Sequence, residues 1–394
     1  MASDRLYFTA NEYADRIQAI QKRMNDHGIE VLCMTAPENI FYATGYDGWS
    51  FYTHQMAIIS LDQKEPIWIG REMDIACAVE TTRMPEKDLI GYSDDYVDST
   101  EKHAMEFIAQ ELTKRGWGSK KIGVESENYF FTARCAEKLT QSLPNATFID
   151  ATNLVNWVRL VKSPQEIQYM REAALLADAA MKAGIDAMEP GTRECDVAAA
   201  ILAAQVKGVG DVFGDPATEI LAMPVGQEVN CPHLAWTGRP LANSTPINLE
   251  LGGVRRRYNS GISRSTHLGK APDSLKSLAS ATLEALEVTL DAIKPGLLAE
   301  DVFHIYNGAL EKYGQHKPSR TGYAIGIGYP PVWIERTVSF FPGDKTVLTE
   351  NMTFHIMCGM WRDEDGFVES ETFRLTDSGV EVFTQYPRGL TEKA

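Results

Sequence analysis

The chain has 394 residues, more than one hydrophobic core usually supports, so two domains are expected. Its composition, 44% apolar and 23% charged residues, is typical of an ordinary globular protein in water. The formal net charge of −16 disfavours nucleic acids and anionic membrane surfaces as partners, because both require clusters of Lys and Arg.

Signals for membranes and secretion are missing from the sequence. No run of about 18 apolar residues is long enough for a membrane helix, and residues 1–5 lack the apolar segment of a signal peptide. The six cysteines are scattered and never spaced as CxxC, which is typical of reduced thiols. We therefore expect a cytoplasmic protein without membrane partners.

The first part of the chain alternates between helix and strand patterns. Thr9 and Glu12 form a capping box at the start of a predicted helix, and Gly28 is its expected stop. A buried strand is predicted over residues 29–34, and the alternation continues to about residue 155. This pattern predicts an N-terminal α/β domain over residues 1–158.

A second domain is predicted over residues 159–394. Ser163, Pro164 and Glu166 combine an N-cap, a first-turn proline and a capping box, which predicts a long helix to about residue 188. Further on, residues 188–197 and 293–302 share Pro-Gly followed by Asp-Val at equal spacing. The repeat is consistent with a domain of two related halves, although helix–Pro-Gly–helix segments also arise by chance.

Several motifs, in this order, resemble the creatinase, prolidase and methionine-aminopeptidase family, whose fold is called pita-bread. They are residues 39–46, 159–167, 263–265 and 376–379. The resemblance covers essentially the whole chain. It implies an α/β architecture: a creatinase-like N-terminal domain, followed by a pita-bread α+β catalytic domain with two pseudo-symmetric halves.

By the same resemblance, the positions of the family's metal ligands carry other residue types in this sequence. Glu250 and Gly261 stand where the family has two Asp ligands, 11 residues apart. Tyr323 replaces a His and Met357 replaces a Glu, while strict spacing puts the last ligand position on Ser370. Because such sites need several O and N donors, we expect no metal and no other cofactor.

A narrower resemblance is to the ectoine hydrolases. It lies in residues 44–52, 151–157, 320–323, 329–331 and 352–355. Those enzymes open the cyclic amidine of ectoine to N-acetyl-2,4-diaminobutyrate in compatible-solute catabolism, and related forms accept 5-hydroxyectoine. The resemblance implies a metal-independent hydrolase for one of these substrates, and the divergent residues 251–260 leave the choice between them open.

Glu250 and His233 are the first two candidates for catalysis. A carboxylate at Glu250 can pair with the amidinium cation and either attack its electrophilic C2 or activate a water to do so. Both roles stay open. His233 matches a His beside the reacting centre in this family, and an imidazole can deliver a proton to the leaving ring nitrogen.

His355 and Glu371 are two further catalytic candidates. His355 lies two residues before Met357 on a predicted strand, so both share one face, and we expect His355 to face the cavity. Glu369 and Glu371 also share a strand face, and we expect one of them, Glu371, to reach the site. A satisfied core His and a solvated edge pair are the respective alternatives.

Residues of both domains are predicted to bind the substrate: Trp49, Phe51, Tyr52, Tyr323 and Glu335. The three neighbouring aromatic residues could form a wall against a flat cation. The resemblance implies a homodimer in which this loop reaches the partner's active site. The Tyr323 phenol can donate to a carboxylate or a developing oxyanion. Glu335 follows a Pro-Pro turn, and a surface charge pair with Arg336 is its alternative role.

Other functions compete with this one. A creatinase-like amidinohydrolase would also lack a metal, but would use its His as the main base on an acyclic substrate. A metal-dependent peptidase of the prolidase type, or a lyase on the same fold, is disfavoured by the replaced ligands. A non-catalytic binding module is disfavoured because Glu250, His233 and His355 are retained together.

Overall fold

The computed structural model describes residues 5–362 and 365–394. Residues 1–4, on which part of the signal-peptide expectation rests, and residues 363–364 lie outside the described residues. The chain divides into two compact units, Met1–Arg159 and Leu160–Ala394, a division one residue later than the predicted one. Within the described ranges, no helix combines the length and the apolar character needed to cross a lipid bilayer.

The first unit is an α/β domain around a six-stranded sheet with the order β4-β3-β2-β1-β5-β6. Its strands are β1 (Val31–Met34), β2 (Met56–Ser60), β3 (Ile67–Arg71), β4 (Leu89–Tyr92), β5 (Lys121–Val124) and β6 (Thr147–Asp150). Its helices are α1 (Ala10–Asp26), α2 (Pro37–Thr44), α3 (Ile75–Thr81), α4 (Ala104–Lys114), α5 (Ala133–Ser142) and α6 (Leu154–Val158). Strand β1 runs antiparallel to β2 and parallel to β5, so the sheet is mixed. The predicted α/β class is confirmed.

Helix α1 shows why local sequence signals were reliable in this unit. The Thr9 hydroxyl accepts a hydrogen bond from the backbone N–H of Glu12 at 3.2 Å, as the capping pattern predicts. Ile17 and Ile20 are buried on the core-facing side. Gly28 follows the helix with a φ of 66°, a left-handed conformation that glycine adopts at little cost.

The second unit contains an eight-stranded sheet, mainly antiparallel, with the order β10-β9-β11-β14-β8-β16, to which β7 and β15 are attached. The strands of this unit are β7 (Pro246–Arg255), β8 (Tyr258–Leu268), β9 (Gly322–Tyr329), β10 (Val332–Ser339), β11 (Thr353–Met357), β12 (Met360–Trp361), β13 (Gly366–Phe367), β14 (Ser370–Leu375), β15 (Val380–Val382) and β16 (Thr391–Lys393). Strands β12 and β13 form a separate two-stranded sheet. Its helices are α7 (Pro164–Ala187), α8 (Glu194–Lys207), α9 (Asp273–Ala292) and α10 (Ala299–Glu311). The predicted pita-bread architecture is confirmed.

The repeated Pro-Gly motif occupies equivalent places in two helix pairs, α7–α8 and α9–α10. Gly191 and Gly296 have φ angles of 90° and 93°. The backbone N–H of Gly191 donates to the carbonyl oxygen of Leu241, and that of Gly296 donates to Leu348, both at 2.8 Å. In return, the backbone N–H of Leu241 donates to the carbonyl oxygen of Thr192, and that of Leu348 donates to the carbonyl oxygen of Leu297, again at 2.8 Å. The sequence repeat therefore corresponds to a repeated hydrogen-bond pattern.

Candidate active site

A cavity of about 400 Å³ opens in the second unit. This volume is within the usual range for a small-molecule site. Its charged and titratable lining residues are Glu219, His233, Glu250, Lys317 and Arg320. Its apolar and aromatic lining residues include Ile220, Pro232, Tyr323, Trp333, Met357 and Trp361. Glu250, His233 and Tyr323, three of the predicted site residues, are thus brought together.

Glu250 is held on β7 from both sides. It pairs with Ser263 on β8, and its backbone exchanges two hydrogen bonds of 3.0 Å with Ala222. The side chain is only partly exposed, and it faces the cavity. Desolvation raises the pKa of Glu250 to about 8; the charge of Glu219 acts in the same direction and that of Lys317 opposes it. Near neutral pH the Glu250 carboxyl group therefore retains its proton, and a cation bound beside it would favour release of that proton.

Lys317 and Glu219 are cavity residues that sequence reasoning missed. Lys317 is buried, and its ammonium group donates to Ser319 Oγ and to the Gly359 carbonyl oxygen, both at 2.8 Å. Desolvation lowers the pKa of Lys317 to about 8, although the nearby Glu250 raises it. Desolvation also raises the pKa of Glu219 to about 7. Both residues lie in loops outside any motif, so no periodicity or spacing signals them.

A buried chain of hydrogen bonds lies behind the cavity wall. Trp333 Nε1 donates to the Tyr323 hydroxyl oxygen at 3.0 Å, and that oxygen lies 3.1 Å from His355 Nδ1. His355 Nε2 is 2.7 Å from Ser370 Oγ. Burial lowers the pKa of His355 to about 3, and the charge of Arg320 acts in the same direction. The imidazole is therefore neutral and orients the Tyr323 phenol.

The expectation that His355 faces the cavity is wrong. His355 is fully buried and does not line the cavity, although Met357 on the same strand does. The reason is cross-strand packing: Tyr323 on β9 lies directly opposite His355, and the Trp333 ring packs edge-on against its imidazole. Strand alternation gave the correct face, but it could not reveal what covers that face.

The space of the second family ligand is filled by aromatic rings. A Cβ at Gly261 would lie 3.0 Å from Trp333 and 3.1 Å from His355. Of the five positions that match family ligands, Glu250 alone carries a carboxylate, and the ammonium group of Lys317 lines the same cavity. Such a set does not fit a divalent metal centre, which needs several O and N donors.

Gly261→Ala tests this packing. The added methyl group would contact Trp333 and His355 at distances tighter than ordinary van der Waals contact, so we expect a loss of unfolding free energy of about 1–3 kcal/mol. Gly308→Ala is the matched control, because Gly308 is exposed within α10 with no atom near its Cβ position. That change should stabilise by about 0.5–1 kcal/mol. Urea denaturation of both variants measures the difference, and equal effects would contradict the assignment.

Glu371 does not reach the cavity, contrary to expectation. It is buried, and its carboxylate accepts hydrogen bonds from Arg264 and Arg388, each at 2.8 Å, and from the Thr384 hydroxyl. Glu369 lies on the same face and pairs with Arg264 at 2.8 Å. Ser370 points the other way, toward His355. Alternation along β14 (Ser370–Leu375) and the residue before it therefore puts both glutamates on the face opposite the site.

Glu335 is also placed differently from both readings of the sequence. Its carboxylate accepts from the Lys162 ammonium group at 2.9 Å, and both side chains are fully buried. A Cβ at Gly326 would lie 2.3 Å from Glu335 Oε1, so that glycine provides room for the ion pair. Glu335 therefore neither lines the cavity nor forms a surface pair with Arg336.

The aromatic loop lies in the first unit. The Trp49 and Phe51 ring centroids are 4.9 Å apart, and Phe51 packs against Phe130 at 5.6 Å. Trp49 is 51% exposed and Tyr52 is 72% exposed. Both side chains are therefore accessible at the surface of this unit. The role of Trp49, Phe51 and Tyr52 in substrate binding stays a prediction.

Comparisons with known proteins agree with this architecture. Residues 16–161 match the Creatinase/Prolidase N-terminal domain, and residues 168–381 match Metallopeptidase family M24. An uncharacterized hydrolase/peptidase of Sinorhizobium fredii is 42% identical over 98% of this chain and 99% of its own. The ectoine hydrolase of Halomonas elongata is 39% identical over 98% and 99%. A prolidase structure from Thermococcus sibiricus, 19% identical, superimposes with a TM-score of 0.84 over 96% and 99% of the two chains.

Proposed function

The chain belongs to metallopeptidase family M24 and carries the creatinase/prolidase N-terminal domain, and we propose that it is a metal-independent hydrolase of that family, opening the cyclic amidine of ectoine or 5-hydroxyectoine. The observation that carries the proposal is the cavity and its ligand positions: Glu250 places a carboxylate at the first family ligand position, while the other four positions are occupied by Gly261, Tyr323, Met357 and Ser370. The similarity to the Halomonas elongata ectoine hydrolase supports the choice of substrate.

The charges of the cavity suit a zwitterion. Ectoine carries a planar amidinium cation and a carboxylate. Glu250 and Glu219 supply the negative charge for the amidinium, while Arg320 and Lys317 supply positive charge for the carboxylate. Trp333 and Trp361 line the wall, and aromatic rings attract a flat cation. This match of opposite charges within about 400 Å³ favours a small zwitterion over a long peptide.

Hydrolysis requires attack at C2 and protonation of a ring nitrogen. The Glu250 carboxylate either attacks C2 directly or takes a proton from a water that attacks it. The tetrahedral carbon then expels one ring nitrogen, which leaves as an amine after receiving a proton. His233 and Lys317 line the cavity as candidate proton donors. If Glu250 attacks directly, a water then attacks the covalent intermediate, breaks its bond to the Glu250 oxygen and frees the carboxylate. In both routes one water is consumed, and the amidinium becomes an amide and an ammonium group.

The pH dependence of kcat/KM tests the Glu250 assignment. The free enzyme must lose the Glu250 proton to react, so kcat/KM for ectoine should rise with pH up to about 8. The Glu219 charge contributes to the raised pKa of Glu250. Glu219→Gln should therefore move this acidic limb to lower pH, by roughly 0.5–1 unit. Stopped assays of the wild type and Glu219→Gln across this pH range measure the shift. The assignment would be contradicted if the acidic limb of the variant stayed in place or moved to higher pH.

Purified protein should be supplied with three classes of substrate to separate the competing functions. Ring opening of ectoine or 5-hydroxyectoine, followed by mass spectrometry of the product amine, supports the proposal. Turnover of creatine alone would favour a creatinase-like amidinohydrolase. Cleavage of an Xaa-Pro dipeptide that depends on added Mn²⁺ would favour the prolidase-type activity. Absence of all three reactions would support a binding module.

We also propose that the protein acts in the cytoplasm as a homodimer, with the Trp49–Tyr52 loop serving the cavity of the partner subunit. The exposed Trp49 and Tyr52 support this idea. Light scattering should give the mass of a dimer. Mixing inactive Glu250→Gln chains with inactive Trp49→Ala chains should restore part of the activity, since some mixed dimers would hold one intact site. A fully active monomer would contradict the proposal.

A further inference from the structure

A second group of reactive side chains lies in the first unit. His54, His103 and Cys135 each offer a ligand atom, and these three atoms lie within 4.8 Å of one another. His54 Nδ1 is 3.6 Å from Cys135 Sγ, and the two imidazole centroids are 4.7 Å apart. Among the described residues, this is the one group of three His, Cys, Asp or Glu with such mutual proximity.

We propose that His54, His103 and Cys135 form a binding site for one zinc-like divalent ion. A tetrahedral zinc ion with Zn–S of about 2.3 Å and Zn–N of about 2.0 Å holds its N and S ligands about 3.6 Å apart. His54 and Cys135 already have this separation. Two imidazoles and a thiolate favour zinc or a similar borderline ion over magnesium or calcium, which prefer oxygen.

The surroundings leave a place for a fourth ligand. His54 and His103 line a cavity of about 150 Å³, together with Tyr52, Asp98 and other residues. The cavity can hold water, so a water molecule can complete a tetrahedron. Cys135 itself is buried. The ion would therefore be reached from the histidine side.

The proposed thiolate ligand has a hydrogen-bond donor beside it. The Thr132 hydroxyl donates to Cys135 Sγ at 3.3 Å, which would stabilise a thiolate.

Two lysine side chains near the proposed site form ion pairs with carboxylates, which offsets their repulsion of a bound cation. Lys102 pairs with Asp95 at 3.0 Å, and Lys138 pairs with Glu106 at 2.6 Å. Metal binding does have one local cost, because His103 Nδ1 accepts the backbone N–H of Met105 at 3.2 Å as an N-cap of α4. Ligation through either nitrogen replaces that hydrogen bond, since Nδ1 then carries the metal or the proton.

The three ligands come from separate parts of the first unit. His54 lies two residues before β2 and follows the Trp49–Tyr52 loop, His103 caps α4, and Cys135 lies in the first turn of α5. A bound ion would cross-link these three segments. It would thereby fix the position of the aromatic loop, independently of whether that loop serves catalysis.

Cobalt titration of the full chain, stripped of metal with a chelator, tests the site. We expect one equivalent of Co²⁺ to produce a thiolate-to-cobalt charge-transfer band that one equivalent of Zn²⁺ removes. Cys135→Ser should abolish the band, whereas Cys77→Ser, which alters an exposed cysteine, should retain it. His54→Gln keeps the thiol and should weaken Co²⁺ binding at least about tenfold.

Folding of each variant is checked by circular dichroism. If Cys135→Ser does not fold, His54→Gln alone decides the question. The proposal is overturned if the wild-type chain gives no band, if the band survives Cys135→Ser, or if His54→Gln binds Co²⁺ as tightly as the wild type.

Discussion

Glu250→Gln should lower turnover of ectoine at least about 100-fold, on the scale of losing a general base or nucleophile. The amide keeps the shape of the side chain but removes both its charge and its basicity. Glu287→Gln, an exposed change on α9 with the same loss of charge, is the control and should leave activity unchanged. If Glu250→Gln stays within a few-fold of the wild type, Glu250 is neither nucleophile nor base.

The stability of the same variant separates catalysis from folding. The folded-state pKa of Glu250 is about 8, above the ordinary value of 4.5, so the folded protein binds this proton more tightly than the unfolded chain. The associated stability is present at low pH and is lost as pH rises through about 8. Near pH 9 the free energy of unfolding of Glu250→Gln should therefore exceed that of the wild type by about 1–3 kcal/mol, once screening by cavity water is allowed for. Thermal denaturation at several pH values measures this difference.

Lys317→Met should lower kcat/KM for ectoine about 100-fold near neutral pH, because it removes a candidate proton donor and a positive charge from the cavity. Methionine keeps an unbranched side chain against Trp361 but removes the ammonium group, which lies 4.8 Å from that ring centroid. Because Lys317 lowers the pKa of Glu250, its loss should raise that pKa further. The acidic limb of kcat/KM should therefore move to higher pH.

The direction of the pH shift distinguishes this role from simple misfolding. Lys317→Met should move the acidic limb upward, whereas Glu219→Gln should move it downward, since the two charges act on Glu250 in opposite senses. The carbonyl oxygen of Gly359 loses a donor, a cost of about 1–3 kcal/mol that urea denaturation would show. A reduced rate with an unshifted pH profile would limit Lys317 to a structural role.

Local signals in the sequence predicted the fold well. The Thr9 cap and the Ser163 capping box involve residues three positions apart, so their geometry is set within one helical turn. The repeated Pro-Gly turns are similarly local. Strand pairing is not local, so the two-domain architecture was predicted from the resemblance of ordered motifs to a known family, and the strand order is known only from the structure.

The site was only partly predictable, because its residues depend on packing between strands. Glu250 and His233 line the cavity as expected, but His355 is covered by a residue from the neighbouring strand. Glu371 failed for a different reason, namely a register of one residue along β14. Lys317 was missed, since a single lysine in a loop becomes informative only when its burial is known.

Ring opening of ectoine by metal-free protein is the measurement that tests the central claim most directly. Wild-type and Cys135→Ser chains would be treated with a chelator, verified free of metal by elemental analysis, and incubated with ectoine while mass spectrometry follows N-acetyl-2,4-diaminobutyrate. The Cys135→Ser sample removes the proposed zinc-like site as a source of any metal effect. We predict product from both samples at rates that added Mn²⁺, Fe²⁺ or Zn²⁺ does not raise. Activity that appears only when one of these ions is restored would contradict the account.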